Sequence, residues 1–426
     1  MLPLGGLTPI LFRGGVKVKN MPLVQGGAAL FPIIFFQYIG SMKFLHTGDL
    51  HLGKTFYERT LIQDQQHLLE QLTQELTSDS ANPYQALVIA GDVYDRAVPS
   101  PEAVELFGSF LTSLRQTVPQ LHIVIISGNH DSPSRLAFAS QLLKHQNIHI
   151  ATSSQDMTNP IIIDQVALYP LAFMNPNFLG DGQTHQQQMA QSAITQILDY
   201  HQTHHPQLAK VLVAHLFTQG GTSCDSERVF VGTAELVEGS LLSQFDYVAL
   251  GHLHRCQNPG GTNIWYSGSP MAYSFSEAGN ENCFLQVELQ PGRQAAVTRI
   301  PVTPLHPVHR LEGSFEEFYR DQEGRYSQYR DSYLEISSTD ATLKENPMDL
   351  LRSRYPLLLS YRQDRAVANS SSGNMEERRQ LIQQVGESNL PTAAIFEAFM
   401  KDIYQQLPSD FPEELELFNQ ILEETR

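Results

Sequence analysis

Eight side chains able to hold a metal ion or move a proton stand just past short apolar runs: Asp49, His51, Asp92, Asn129, His130, His215, His252 and His254. The clearest run is ALVIA at 86–90, followed by Gly91 and then Asp92. Apolar stretches of this length bounded by turn signals read as buried strands, so each polar group leaves the C-terminal end of a strand, the edge where open α/β sheets bind ligands. A single histidine after a strand is ordinarily a loop residue, whereas the same pattern at five strand ends points to one shared site. Carboxylate, imidazole and amide oxygen without thiolate suit Mn²⁺ or Fe²⁺, and zinc less exclusively. The donors exceed what one tetrahedral ion can use, but two ions sharing a carboxylate employ nearly all of them. Two such ions clamp the attacking and leaving oxygens of a displacement at phosphorus and generate hydroxide near neutral pH. The chemistry is phosphoester hydrolysis.

The elements that must position these groups follow a strand, turn, helix rhythm from Met42 onward. Strands at 43–47, 86–90 and 121–127 alternate with helices at 61–76, 102–114 and 134–145, the second begun by Pro101 in the favoured first-turn position. This βαβαβα order implies a parallel sheet covered by helices. Asp49 and His51 are two apart, so an extended backbone sends both to one face. Short strands at 160–166 and 167–172, bounded by Asn-Pro, mark a change of sheet; a helix at 187–201 and buried strands at 210–214 and 245–250 lead to His215 and to the pair His252 and His254. Segments 264–267, 283–289 and 295–300 alternate apolar and polar residues, as antiparallel strands with one exposed face do. Pro301, Pro304 and Pro307 break the ladder, and a small α/β segment follows with a strand at 333–337 and a helix at 348–355. Residues 366–374, AVANSSSGN, read as a flexible joint, and 395–424 as helices with apolar stripes.

The 426-residue chain holds enough apolar sequence, 41%, for two or three domains. Its net charge of −17 argues against a stand-alone nucleic-acid binder, so such contact needs a local basic patch, metal or a partner. Cys224, Cys256 and Cys283 form no disulfide framework, which fits a cytoplasmic setting. The apolar run 27–39 follows Arg13, Lys17 and Lys19, yet is too short to span a membrane; Met42 reads as the natural start and residues 1–41 as an extension outside the fold. His201, His204 and His205 read as a solvated loop, and Trp265 and Tyr266 as core. Arg135, Arg228 and Arg255 lie near the motifs and serve phosphate or local carboxylates equally well. No phosphate-cradling glycine loop is present in the sequence, so any ATP hydrolysis belongs to another chain.

The motifs GDLHLGK, GDVYD, GNHD, the isolated His215 and GHLH resemble the calcineurin-like metallophosphoesterase superfamily. Cys224 to Arg228 (CDSER), FDYVALGHLHRCQ and YSGSPMAYSFSEAG resemble, more narrowly, the SbcD family of bacterial exonuclease subunits. The resemblance implies an α/β fold, a four-layer αββα sandwich over 42–300, with a small C-terminal α/β capping domain over 308–365. A linker at 366–390 and a helical partner-docking segment at 391–426 complete that layout. It implies that Asp49, His51 and His254 hold a first metal and Asn129, His215 and His252 a second, with Asp92 bridging. His130 then contacts the scissile phosphate and assists the leaving oxygen, oriented by Asp131. The implied activity is a Mn²⁺-dependent DNA nuclease, exonucleolytic on duplex ends and endonucleolytic on single strands or hairpins, in DNA repair, recombination or replication. Its implied partners are DNA, an SbcC-type coiled-coil ATPase and a second nuclease subunit within a heterotetramer. The rival within the fold is a phosphatase or cyclic-nucleotide phosphodiesterase, which needs no extension past Pro307. Asp95 stands where archaeal and eukaryotic relatives carry histidine, and its role is left open.

Overall fold

The computed structural model describes residues 41–224, 236–260, 263–340 and 344–363. The expectations for residues 1–40, Arg228, the joint and the terminal helices lie outside the described residues. Two sheets pack face to face with helices on both outer sides. The first has Met42–Thr47 at its centre, joined in parallel to Ala86–Ile89, His122–Ile126 and Ile148–Ala151, and in antiparallel fashion to Cys283–Leu289 and then Ala296–Pro301. The second runs in the order Ile264–Tyr266, Tyr247–Gly251, Ala209–His215, Val166–Leu171 and Ile161–Ile163.

Alternation within each strand builds the layers. Leu45, Leu87 and Ile123 face helices Ile62–Thr77 and Pro101–Thr117, meeting Leu69, Leu72 and Phe110. Their neighbours Phe44, Val88 and Val124 face the other sheet and meet Val211, Val213 and Ala249. The far face of that second sheet, with Leu212 and Val248, packs on Ile194 and Ile197 of helix Gln186–His204. The inner strands of both sheets are covered on both sides, which is why they read as apolar runs, whereas the edge strand Ala296–Pro301 is largely exposed.

A buried polar link joins the two sheets. His46 of the first strand meets the Tyr247 hydroxyl with Nδ1 (3.0 Å) and the Leu250 carbonyl with Nε2 (3.2 Å). A carbonyl only accepts, so Nε2 carries the proton and the ring is neutral. Burial pushes its pKa from 6.5 down to about 3, opposed weakly by the Leu250 hydrogen bond. The unfolded chain therefore binds this proton below pH 6.5 while the folded chain does not. The ring's contribution to stability is complete above 6.5 and is lost as pH falls toward 3. Metal-free protein should consequently melt roughly 5 °C or more lower at pH 5 than at pH 7.5, read by calorimetry; a pH-independent midpoint would contradict this.

After Pro301 the chain forms a parallel three-stranded sheet, Val308–Gly313, Tyr333–Ser338 and Leu358–Gln363, with short helices Phe315–Arg320 and Pro347–Arg352 covering one face. A capping box of Ser314 and Glu317 starts the first of these helices. Val308, Tyr333 and Leu359 turn the other way and join the core under Phe56 and Phe275.

Several elements differ from the sequence reading. The helix expected over 134–145 is two short pieces, Pro133–Leu136 and Ser140–Lys144, divided at Ala139, whose φ of 59° cannot continue a helix. Strand Ile264–Tyr266 pairs in parallel with Tyr247–Gly251, not antiparallel, because its chain crosses over before re-entering the sheet. His201 is no loop residue: it lies buried within its helix, 3.0 Å from the Tyr169 hydroxyl, with His204 in the last turn. Tyr266 is core as expected, its hydroxyl held between Thr218 and Leu216 backbone. Strands Val308–Gly313 and Leu358–Gln363 had no clear sequence signal.

Candidate metal centre

The C-terminal ends of three strands of the first sheet and two of the second meet at one place. The loops after Met42–Thr47 and Ala86–Ile89 are zipped by backbone bonds, Asp49 N to Gly91 O (3.0 Å), His51 N to Asp92 O (3.0 Å) and Leu52 N to Val93 O (2.9 Å). The sheets approach closely here: a Cβ on Gly251 would stand 1.9 Å from the Ala90 carbonyl oxygen, so no larger residue fits. Asp49, His51, Asp92 and His252 all have positive φ, of 52°, 43°, 48° and 102°. Asp49 and His51 therefore converge through a tight left-handed turn, not by the extended alternation expected from their spacing. Such backbone costs on the order of 1–3 kcal/mol per residue and persists only where its surroundings enforce it.

All the sequence-selected donors are brought together. Ligand atoms of Asp49, His51 and His254 lie within 4.8 Å of one another, as do those of Asp49, Asp92 and His215, and of His51, Asp92 and His130. Asn129 Oδ1 lies 2.9 Å from His215 Nε2 and 3.1 Å from His252 Nδ1. Asp92 stands between the two sets of imidazoles: its Oδ2 is 3.7 Å from His51 Nε2 and 3.5 Å from His215 Nε2. The carboxylates are fixed by main chain, Asp92 Oδ1 accepting from His130 N (2.8 Å) and Asp49 from His252 N (2.9 and 3.1 Å).

The tautomers test whether cations fit. His215 donates from Nδ1 to the Ala90 carbonyl (2.8 Å), which leaves a lone pair on Nε2 facing the amide oxygen of Asn129. His254 donates from Nδ1 to Glu277 (3.1 Å), so its Nε2 lone pair faces Nε2 of His51 at 3.1 Å. Two acceptors, the His215 lone pair and the Asn129 oxygen, set face to face in a buried pocket repel unless a cation lies between them. Burial lowers the pKa of His215 and pushes those of His51 and His252 far below 6.5, so the rings stay neutral and available as ligands near pH 7. The residues fit divalent metal ions.

His130 is oriented by a different group from the one expected. Its Nδ1 donates to the Asp95 carbonyl (2.8 Å), which fixes the tautomer and leaves Nε2 for chemistry. Asp131 instead accepts from the backbone of Gly128 (2.9 Å), Val93 (3.1 Å) and Tyr94 (3.0 Å), and so locks the two loops together. Its pKa is raised by burial and by the charge of Asp92. The side chain of Asp95 holds Lys54 Nζ at 2.8 Å and lies 3.7 Å from His51 Nδ1. Arg135 is exposed and Arg255 is exposed beside the GHLH turn.

Glu277 was missed by sequence reasoning. It is fully buried; Oε1 receives His254, and Oε2 accepts from Ser269 Oγ (3.1 Å) and Tyr273 N (3.2 Å). A carboxylate behind a ligating imidazole fixes ring and tautomer and raises its basicity. The signal was a lone acid within YSFSEAG, a stretch otherwise small and aromatic. Glu277→Gln should weaken metal binding at the His254 half by roughly 10- to 100-fold in calorimetric titration while leaving the other half intact; unchanged affinity at both would refute the assignment.

Comparison with known proteins agrees with this geometry. The calcineurin-like phosphoesterase family model matches residues 42–256. The D subunit of the nuclease SbcCD from Staphylococcus saprophyticus subsp. saprophyticus is 32% identical over 329 residues, covering 75% of this chain and 84% of the relative. The protein of the same name from Staphylococcus epidermidis is 31% identical over 328 residues, with coverage of 75% and 84%. With a phosphoesterase motif set converging on one buried centre and relatives aligned along most of their length, the chain belongs to the calcineurin-like phosphoesterases and, within them, to the SbcD family of SbcCD nuclease components.

Proposed function

We propose that this chain is the nuclease subunit of an SbcCD-type complex and hydrolyses DNA phosphodiester bonds with two Mn²⁺ ions. The observation that carries this reading is Asp92 Oδ2, within 3.7 Å of His51 Nε2 and 3.5 Å of His215 Nε2, placed to be shared. Asp49, His51 and His254 would hold one ion and Asn129, His215 and His252 the other, with Asp92 placed between the two sets. When bound, the pair neutralises charge on the phosphoester and makes water a competent nucleophile near neutral pH. His130, held at Nδ1 by the Asp95 carbonyl, presents Nε2 to the phosphate; as imidazolium it would give the Nε2 proton to the departing oxygen and return to the neutral ring with Nδ1–H still on that carbonyl. Asp131 and Asp95 keep the loops and that imidazole in place.

The acidic chain gains its grip on DNA from the metals and from its partner, a coiled-coil ATPase, with the nuclease subunit present as a dimer in the complex. The apolar positions Ile395, Phe399, Ile403, Leu415, Phe418 and Leu422 recur at helical spacing and suit docking into a groove of that partner. Duplex ends are degraded exonucleolytically and hairpins or single strands cut endonucleolytically. The additional α/β unit after Pro301 favours this over a small-substrate phosphatase. Purified protein with Mn²⁺ should cleave labelled duplex DNA in preference to p-nitrophenyl phosphate; preferential monoester hydrolysis would select the phosphatase. Deleting residues 395–426 should abolish co-purification with the ATPase and spare hydrolysis of a small phosphodiester, and persistent co-purification would remove the docking role.

A further inference from the structure

Two consecutive polar residues in the first turns of helix Ile62–Thr77, Asp64 and Gln65, are buried, and neither caps the helix. Gln65 grips the turn that carries His51: its Nε2 donates to the His51 carbonyl (2.7 Å) and its Oε1 accepts from Gly53 N (2.9 Å). The His51 carbonyl also accepts from Lys54 N (3.1 Å) within the turn, so Gln65 adds a tie from the helix to a turn whose His51 is left-handed. Asp64 faces the other way. Its Oδ1 meets His306 Nδ1 (2.9 Å) on the segment joining the sandwich to the C-terminal sheet, and its Oδ2 accepts from the Tyr333 hydroxyl (2.9 Å) on that sheet's central strand. Both oxygens of a buried carboxylate are thus spent on chain about 240 to 270 residues away.

We propose that Asp64 and Gln65 form a rigid relay through which the C-terminal three-stranded unit positions the His51 side of the metal centre. Gln65 is the positioning residue for His51, and Asp64 fixes Gln65 to the C-terminal unit, since adjacent residues at the start of one helix cannot move independently. A partner or DNA that shifts the C-terminal sheet then alters the turn at 50–53 with no contact to it. By linkage, metal bound at the centre must steady the C-terminal unit in return. The inference rests on the metal centre described above, but its test needs no nuclease activity.

The test is hydrogen exchange of the metal-free protein. Tyr333→Phe removes one hydroxyl and keeps the ring, so the fold survives. Exchange at the Gly53 amide should speed roughly 3- to 10-fold, as expected for loss of one supporting hydrogen bond. Gln71→Ala is the control, because Gln71 also bonds the joining segment, at Thr303 (2.8 and 3.0 Å), from farther along the same helix. It should leave Gly53 unchanged. As the reciprocal measurement, adding Mn²⁺ to the wild type should slow exchange at the Tyr333 amide, and Gln65→Ala should abolish that slowing. A Gly53 rate unaffected by Tyr333→Phe, an equal response to Gln71→Ala, or Mn²⁺ protection of Tyr333 that survives Gln65→Ala would each overturn the relay.

Discussion

Asp92→Asn should empty both halves of the metal centre at once. The amide keeps an acceptor oxygen but loses the charge that sits between His51 and His215. Two cations a few ångströms apart repel strongly in a buried site, and a shared anion offsets that repulsion more than any neutral donor can. Elemental analysis should fall from two ions per chain to below one, and Mn²⁺-dependent DNA hydrolysis by roughly 10³-fold or more. Asn129→Ala, by contrast, removes a proposed ligand of one half only and should leave one ion in place. If Asp92→Asn retained two ions, the bridging role would belong to another residue.

His130→Ala should have the opposite signature: full metal content with turnover lost. The imidazole lies beside His51, with ring centres 4.7 Å apart, but its backbone N–H already supports Asp92 and is unaffected by the substitution. In the proposed mechanism, removing the side chain deletes the group that serves the departing oxygen, which is worth roughly 10²- to 10⁴-fold. The loss should fall on kcat, with KM for DNA nearly unchanged, since phosphate is still drawn by the metals. Loss of metal from this variant would make His130 a ligand.

The convergence of these side chains was legible because most follow a short apolar run bounded by a turn signal, and because Asp, Asn and His recur at those ends. Apart from the change of sheet marked by Asn159-Pro160, composition did not say which sheet each strand joins. ALVIA at 86–90 and KVLVA at 210–214 are alike in composition, yet they lie in different sheets, since both sheets are covered on both faces. The left-handed turn at Asp49 and His51 was invisible because neither residue announces positive φ as glycine does. Glu277 and Gln65 escaped for a related reason: a single polar residue in an otherwise ordinary stretch has no periodicity, and its meaning comes from backbone and imidazole groups remote in the chain. Asp131 was expected to orient His130, but its carboxylate serves three backbone amides, a choice set by loop geometry that spacing does not encode.

The central claim is that two metal ions sharing Asp92 make this chain a DNA phosphodiesterase. Metal-free protein titrated with Mn²⁺ while cleavage of labelled duplex DNA is followed tests it most directly. Cleavage should appear only as occupancy passes one ion per chain and should plateau at two. Full activity at one ion per chain, or cleavage that survives chelation of all metal, would contradict it.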